Sequence, residues 1–279
     1  MKKLFLLSLL VCAPLVQAQL SQRFKNHWFD GNAEISSYEL TQSRYGQQRK
    51  GKAVLIFVTE DFLAIEQVKA NKKSKTTIPV IKSNRTKTYL TGIYPYSIMN
   101  SSFNSLRKKH PLIKSATSIQ EWCGQSYLQL NAKEKELNYT SHSYFEGEAD
   151  QQMNLEKAMS EDALWNLLRF DSQQLPIGSF NLYPSLEMVR LNHISMKISE
   201  AIGEMKTGEY ILNIPSMGRS LRIQFDPEFP YTIEGWTETY TDKGENYTST
   251  AKRIHTERRQ YWAENDKRFE SLRIPYKLD

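Results

Sequence analysis

Apolar and polar residues alternate over short stretches along most of this chain, which is the period of a β-strand with one buried face. Turn-forming residues separate these stretches at short intervals. The stretches predicted as strands are residues 33–44, 87–99, 115–130 and 137–145, followed after residue 208 by "YILNIPS", "RSLRIQFD", "YTIEGWTETYT" and "NYTSTAKRIHT". Residues 52–59 form a nearly continuous apolar run, which predicts a strand buried on both faces.

One segment repeats its apolar residues at helical spacing. Ser160 precedes it as an N-cap, and Glu161 and Asp162 fall in the first turn, where the helix dipole favours acidic side chains. We predict a helix over residues 161–169, with an apolar stripe divided between the concave face of the sheet and the domain edge. The stripe contains Leu164, Trp165, Leu167 and Leu168. Residues 185–206 fit neither period cleanly, and we interpret them as strands.

These elements predict a mainly β fold, in which a large antiparallel sheet curls into a barrel or half-barrel with one or two short helices. A sheet of nine or more strands is expected to curl because open edges promote association with other chains. The predicted organisation is a signal peptide over residues 1–18 and a single β-rich domain over residues 19–279.

The first residues have the pattern of a secretory signal peptide. Lys2 and Lys3 precede the apolar run "LFLLSLLV", and "VQA" favours cleavage after Ala18. The run is shorter than the roughly 20 residues of a membrane-spanning helix, so no transmembrane span is predicted. We expect an exported protein of the periplasm or cell envelope. Lipidation of Cys12 is the alternative, which Val11 disfavours because a small residue normally precedes a lipidated cysteine.

The positive charge of the chain is modest. The formal net charge is +6, and it falls to +4 if Lys2 and Lys3 leave with the signal peptide. The basic clusters "KANKKSK" at residues 69–75 and "RKKH" at residues 107–110 contain no interleaved aromatic residue. We interpret both as solvated loops, with contact to anionic lipid headgroups or glycans as the alternative. No nucleic-acid partner is predicted for an exported protein.

Cys123 lies in "SIQEWCGQSY", where Trp122-Cys123-Gly124 resembles the first half of a thioredoxin-type motif. That chemistry needs a resolving cysteine three residues later, a position that Ser126 occupies here, and a helix after the thiol. The pattern that follows is that of a strand. We therefore predict a buried, structural cysteine. Redox or nucleophilic chemistry and intermolecular pairing are the alternatives.

Three carboxylates, Glu146, Glu148 and Asp150, alternate in "FEGEAD" and would share one face of a strand. The simplest interpretation is a solvated strand end. The alternative is acid–base catalysis in a hydrolase, which requires these acids to meet a histidine in a deep pocket. The histidines themselves are scattered without metal-ligand spacing, so neither a metal nor a cofactor is predicted.

Aromatic residues are frequent in the predicted strands. Most should belong to the core, but so aromatic a sheet can also line a groove for a lipid or glycan. The candidates for such ligand binding are Tyr94, Trp122 and Trp236.

Several segments together resemble a family of uncharacterised exported bacterial proteins, some of which carry the label "septum formation inhibitor Maf". The segments are "DGNAEISSYELTQSRYGQQRKGKAVLIFVTEDF", "GIYPYSIM", "SIQEWCGQSY", "TSHSYFEGEAD" and "FDPEFPYTIEGWTETY". The S-x-S-x-R-R and E-x-x-D-T motifs of Maf nucleotide pyrophosphatases do not occur here, so no Maf activity is implied. The order of helix, "LPIG", strands and "FDPEFPYTIEGW" is similar to periplasmic half-barrels of the lipoprotein-carrier and DUF3108 type. That likeness implies a concave apolar sheet face for a lipid-like ligand.

Two functions of different classes are therefore expected from the sequence. The first is a non-enzymatic envelope protein that binds an amphipathic or lipid-like ligand, or serves as a scaffold for an envelope protein partner. It is favoured because no catalytic signature is present. The second is an exported hydrolase that uses the carboxylates of Glu146, Glu148 or Asp150.

Overall fold

The computed structural model describes residues 20–107, 112–242 and 244–278. The predicted signal peptide, Cys12 and His110 lie outside these residues. Strands make up 57% of the structure and belong to one sheet. In chain order they are β1 Ala33–Arg44, β2 Gln47–Leu63, β3 Val68–Lys69, β4 Thr77–Thr91, β5 Tyr94–Ser105, β6 Leu112–Glu121, β7 Gly124–Ala132, β8 Glu136–Ser143, β9 Gln151–Glu156, β10 Met159–Ser160, β11 Gly178–Tyr183, β12 Ser199–Lys206, β13 Glu209–Ile214, β14 Arg219–Phe225, β15 Ile233–Asp242 and β16 Glu245–Arg259.

Neighbouring strands in the sheet are mostly neighbours in the sequence. The order is β10-β11-β12-β13-β14-β15-β16-β1-β2-β4-β5-β6-β7-β8-β9, with β3 paired to β2. Every described pair is antiparallel except β10 with β11. The hydrogen-bonded path does not close, and β9 and β10 are its two edges. Only Lys157 and Ala158 separate these edges in the chain, which places Glu156 and Met159 within about 11 Å of each other. The prediction of a large curled antiparallel sheet is confirmed.

Within the described residues, three α-helices accompany the sheet: α1 Gln22–Trp28, α2 Glu161–Phe170 and α3 Leu186–Leu191. Short 3-10 segments cover Ser172–Gln174, Pro215–Met217, Tyr261–Ala263 and Lys267–Tyr276. The interpretation of residues 185–206 as strands was wrong for its first part, because α3 occupies it, and right for β12. Among the described residues, no helix has the length and apolar character needed to cross a bilayer.

Helix α2 begins where the sequence predicts it and lies inside the curl. The Ser160 side chain accepts a hydrogen bond from the Asp162 amide at 3.3 Å. All four residues of the predicted apolar stripe are buried in the main core, so the expectation that some reach the domain edge was wrong. The polar side of the helix is buried as well. Asn104 of β5 donates to the carbonyl of Ala163 at 3.0 Å, and the helix is thereby held against the sheet.

Ion pairs compensate the buried charges of α2. Asp162 contacts Arg85 of β4 at 2.6 Å, and Arg169 contacts Glu34 of β1 at 2.6 Å. Glu161 pairs with Arg219 of β14. Because an unpaired charge in such a setting costs several kcal/mol, each partner is needed once the other is buried. The helix is therefore tied to three separate parts of the sheet.

Three strand predictions need correction. Residues 87–99 are not one strand, because they fold back at Gly92 and Ile93, and Thr91 at the end of β4 pairs with Tyr94 at the start of β5. Residues 52–59 are buried on both faces only at their end: Ala53, Leu55 and Phe57 point into the core, while on the other face Val54 and Ile56 are half-buried and Val58 is buried. Residues 115–130 are not one strand either. They fold back at Trp122 and Cys123, so that Glu121 pairs with Gly124 across a two-residue turn between β6 and β7.

Candidate functional site

A convergence of ionisable and apolar side chains lies where the sheet approaches closure. A cleft of about 390 Å³ opens there between α3 with the segment after it, strands β7 to β9, and the loop before β9. We call this the edge cleft. Its apolar wall is formed by Leu128, Tyr139, Met153, Val189, Ile194 and Met196. Its polar side carries Glu148, Arg190, His193 and Lys197.

Arg190 is the most constrained of these polar groups. Its side chain is 7% exposed, and its Nε donates to the hydroxyl of Ser126 at 3.1 Å. The guanidinium carbon lies 3.8 Å from the centroid of the Phe145 ring, a cation–π contact. Burial lowers the pKa of Arg190, while the carboxylate of Glu148 opposes that shift. The guanidinium remains charged, since arginine does not lose its proton in proteins.

Glu148 connects Arg190 to His193. One carboxylate oxygen lies 3.5 Å from the Arg190 guanidinium, and the other contacts Nδ1 of His193. His193 follows α3 with a left-handed backbone φ of +52°, a conformation in which non-glycine residues are uncommon. Its ring also meets Phe145 edge-on, with centroids 5.5 Å apart. The result is an ordered Glu–His–Arg group on one side of an otherwise apolar cleft.

The carboxylates predicted from "FEGEAD" do not share a strand face. Residues 144–150 form a loop between β8 and β9, so the alternation of Glu146, Glu148 and Asp150 has no structural counterpart. The loop bends because Gly147 takes φ +77°. Only Glu148 lines the edge cleft.

The other two carboxylates lie in the open. Asp150 contacts Nδ1 of His142 at 3.1 Å, but both side chains are more than half exposed. They border a separate groove of about 440 Å³ on the outer face. Glu146 is exposed.

The prediction of a buried Cys123 was wrong. Cys123 occupies the turn between β6 and β7 and is exposed. Its amide donates to the carboxylate of Glu121 at 2.7 Å. The hydrogen bond that the Cys123 thiol donates to the Glu121 carboxylate, and then the negative charge of that carboxylate, raise the pKa of the thiol. This shift is opposite to the one that activates a catalytic thiol.

The three aromatic candidates divide between surface and core. Tyr94 and Trp122 are neighbours at one end of the sheet, with ring centroids 6.4 Å apart. Trp236 is 2% exposed and packs between Tyr38 and Trp165, so it belongs to the core.

Sequence reasoning did not find Arg190 or His193. Arg190 lies on a six-residue helix too short to show a period, and His193, two residues after that helix, is 45 residues from Glu148 in the chain. Within the described residues, no three His, Cys, Asp or Glu side chains gather as a metal site requires. No hydroxyl or thiol in that part of the chain is hydrogen-bonded to the His193 ring.

No family model matches the chain. No curated protein matches it either. Among solved structures, the crystal structure of a β-barrel-like protein of domain of unknown function DUF1849 from Brucella abortus is similar to it. The TM-score is 0.41 and the sequence identity is 6%, with 81% of this chain and 98% of that chain covered.

Proposed function

We propose that the protein is an exported, non-enzymatic envelope protein that binds an amphipathic ligand with an anionic headgroup in the edge cleft. One observation carries this proposal: a single cleft joins an apolar wall to a cationic side. Ligand pockets are mostly apolar with a few placed polar groups, and this cleft has that composition.

The charges favour an anionic headgroup over a cationic one. Arg190, His193 and Lys197 can all donate hydrogen bonds toward the cleft, whereas Glu148 is already engaged by the first two. A carboxylate or phosphate group can exchange with Glu148 at these donors. The alkyl part of such a ligand would lie along the wall that contains Leu128 and Met153.

The test is a titration with dodecanoate, below its micellar concentration, monitored by calorimetry. Dodecyltrimethylammonium is the control ligand, because it has the same chain length and the opposite charge. We expect saturable binding of dodecanoate and at least tenfold weaker binding of the cation. The absence of binding, or equal binding of both amphiphiles, would refute the proposed function.

A matched pair of variants locates the binding. Met153→Asp places a charge on the cleft wall, and Met99→Asp places the same charge on the outer face of β5. The two methionines are 37% and 40% exposed, so both substitutions should be tolerated by the fold. Only Met153→Asp is expected to weaken dodecanoate binding, by tenfold or more. Native mass spectrometry of protein from its own host would then reveal any lipid that co-purifies.

One contact favours a second candidate function. Glu148 meets His193 inside a cleft, as an exported hydrolase that uses these carboxylates would require. Under this alternative, Glu148→Gln and His193→Gln would each abolish the hydrolysis of ester or glycoside substrates while the fold stays intact. Hydrolysis that is unaffected by both substitutions, or not measurable in the parent protein, would eliminate it.

A further inference from the structure

The outer face of strands β6 to β8 carries the groove of about 440 Å³. We call it the outer groove. Successive residues of a strand point to opposite faces, so Tyr127 and His142 line this groove, while Leu128 and Ser141 line the edge cleft. The strand register places Ser118 beside Tyr127, and Tyr127 beside His142. The outer groove is therefore a site separate from the edge cleft, with the sheet between them.

The lining of the outer groove is polar, apart from two aromatic rings. Among the described residues that form it, none has an aliphatic side chain. The lining includes the side chains of Ser118, Gln120 and Gln125, which have no hydrogen-bond partner within the described part of the chain. Hydroxyl and amide groups both donate and accept hydrogen bonds. Because the hydroxyls of a sugar also do both, these three side chains can pair with a sugar in either direction.

The two aromatic rings of the outer groove are exposed but fixed by their neighbours. Tyr127 is 39% exposed, and its hydroxyl donates to Oε1 of Gln129 at 2.6 Å. Tyr144 is 67% exposed, and its ring lies on Gly124, where an added Cβ would be 2.9 Å from the ring. The face of an aromatic ring carries partial negative charge. It therefore attracts the weakly positive C–H groups on the face of a pyranose ring.

The charges at the outer groove disfavour an ionic ligand. No lysine or arginine is among the described residues of the lining, whereas Asp150 belongs to it. Glu121 and the exposed Glu146 lie on adjoining turns, so an anionic ligand would meet repulsion. A cation finds no free carboxylate in the lining, because Asp150 contacts Nδ1 of His142 at 3.1 Å. The carboxylate of Glu121 accepts from the Cys123 amide at 2.7 Å.

We propose that the outer groove binds a neutral oligosaccharide. The rings of Tyr127 and Tyr144 pack on the faces of sugar units, while Gln120 and Gln125 exchange hydrogen bonds with the sugar hydroxyls. An amphiphile would need an aliphatic wall, which this lining lacks. A protein partner would meet an interface core rich in apolar side chains or arginine. Neither feature is present among the described residues of the lining.

The test is a titration with three neutral tetrasaccharides, namely cellotetraose, maltotetraose and chitotetraose, followed by saturation-transfer difference NMR. We expect saturable binding of at least one of them, with transfer from aromatic protons of the protein to C–H protons of the sugar. Tetragalacturonate and fully deacetylated chitotetraose are the charged controls, and both should bind about tenfold more weakly or worse. Failure of all three neutral sugars to bind, or binding of a charged control as tight as that of the best neutral sugar, would overturn the proposal.

Variants locate the sugar on the two rings. Tyr127→Ala and Tyr144→Ala should each weaken binding about fivefold or more. Gly124→Ala keeps every side chain of the lining but should also weaken binding, because its Cβ displaces the Tyr144 ring. Trp262→Ala is the matched control, since Trp262 is 48% exposed and lines a different pocket. Unchanged affinity in both tyrosine variants, or an equal loss in the control, would contradict the proposal.

The sugar proposal does not depend on the function proposed for the edge cleft, and the two can be tested apart. Met153→Asp, which places a charge on the wall of the edge cleft, should leave oligosaccharide binding unchanged. Tyr127→Ala should in turn leave dodecanoate binding unchanged. If Met153→Asp abolished oligosaccharide binding while Tyr127→Ala did not, the sugar would lie in the edge cleft and the assignment to the outer groove would be wrong.

Discussion

Asp162 and Arg85 form an ion pair at 2.6 Å in which the carboxylate is fully buried. The second carboxylate oxygen accepts from the hydroxyl of Ser115 at 3.0 Å and from the amide of Leu186 at 3.2 Å. One side chain of α2 is thereby linked to β4, to β6 and to the first residue of α3. Since α3 carries Arg190, this pair also supports the wall of the edge cleft.

We expect Asp162→Asn to lower the free energy of unfolding by about 3–5 kcal/mol, because it leaves the charge of Arg85 without its partner. Urea denaturation measures the loss. Glu204→Gln is the control, since that carboxylate is 53% exposed and should contribute less than about 0.5 kcal/mol. A loss for Asp162→Asn as small as that of the control would contradict this account.

His27 should make the stability depend on pH. Its Nε2 lies 2.7 Å from a nitrogen of Arg258, which can only donate, so the ring must be neutral. Burial, and then the charge of Arg258, lower the pKa of His27 to about 4. Between that value and the unfolded value of about 6.5, the unfolded chain binds a proton that the folded protein does not. The stabilisation of the folded state that comes from neutral His27 is therefore fully present above the unfolded pKa, and it is lost as the pH falls toward about 4.

The matching variant is His27→Gln, which keeps an acceptor for Arg258 but does not titrate. Urea denaturation from neutral pH to about pH 4 should show the parent protein losing about 1–2 kcal/mol more than this variant. This loss of unfolding free energy is smaller than the full pKa difference would give, because solvent screens the charge on a half-buried ring. Parallel pH profiles for the two proteins would rule out His27 as the cause.

Much of the fold could be predicted because it rests on local patterns. Alternation identified most strands, and the cap at Ser160 with two acids after it located α2. The turn at Trp122 and Cys123 escaped prediction because neither residue is a usual turn former. The next residue, Gly124, does not adopt a positive φ, so the turn conformation does not require a glycine there. The glycine is explained by the Tyr144 ring, which leaves no room for a Cβ.

The candidate site was largely beyond sequence reasoning. Glu148 was identified as a candidate residue from the sequence. Its partners depend on how the sheet curls, and the spacing of residues along the chain does not predict that curl. The helix α3, which His193 follows, is anchored to α2 by the hydrogen bond from the Leu186 amide to Asp162 and by the one from the Ser185 amide to Glu161. Contacts of this kind join residues far apart in the chain and leave no periodic signal.

Cys123 should react with a thiol reagent in the native state, since it is exposed, but more slowly at neutral pH than an unperturbed thiol. The raised pKa reduces the thiolate fraction, and Glu121 causes it. In a Cys12→Ser background, Glu121→Gln is expected to increase the labelling rate severalfold, whereas Glu146→Gln on the next loop should not. A native thiol that resists labelling, or a rate indifferent to Glu121→Gln, would show that the turn is not exposed as described.

The last prediction concerns the three carboxylates that follow β8. Glu146→Gln and Asp150→Asn should each change the free energy of unfolding by less than about 0.5 kcal/mol, because both side chains are exposed. Glu148→Gln should cost more, about 1–2 kcal/mol, since the nearly buried guanidinium of Arg190 loses its countercharge. Urea denaturation of the three variants measures this ranking.

The same Glu148→Gln variant should bind dodecanoate more tightly than the parent protein. Glu148 occupies Arg190 and His193 with an internal anion, so its neutralisation releases these donors to the headgroup of the ligand. Stability and affinity would then move in opposite directions, as they do when a site holds strain for function. Asp150→Asn is the control, because that carboxylate lies on the outer face and should alter neither quantity. Weaker dodecanoate binding by Glu148→Gln would contradict an anionic ligand. If this variant instead lost a hydrolytic activity that the parent protein has, the hydrolase would be favoured.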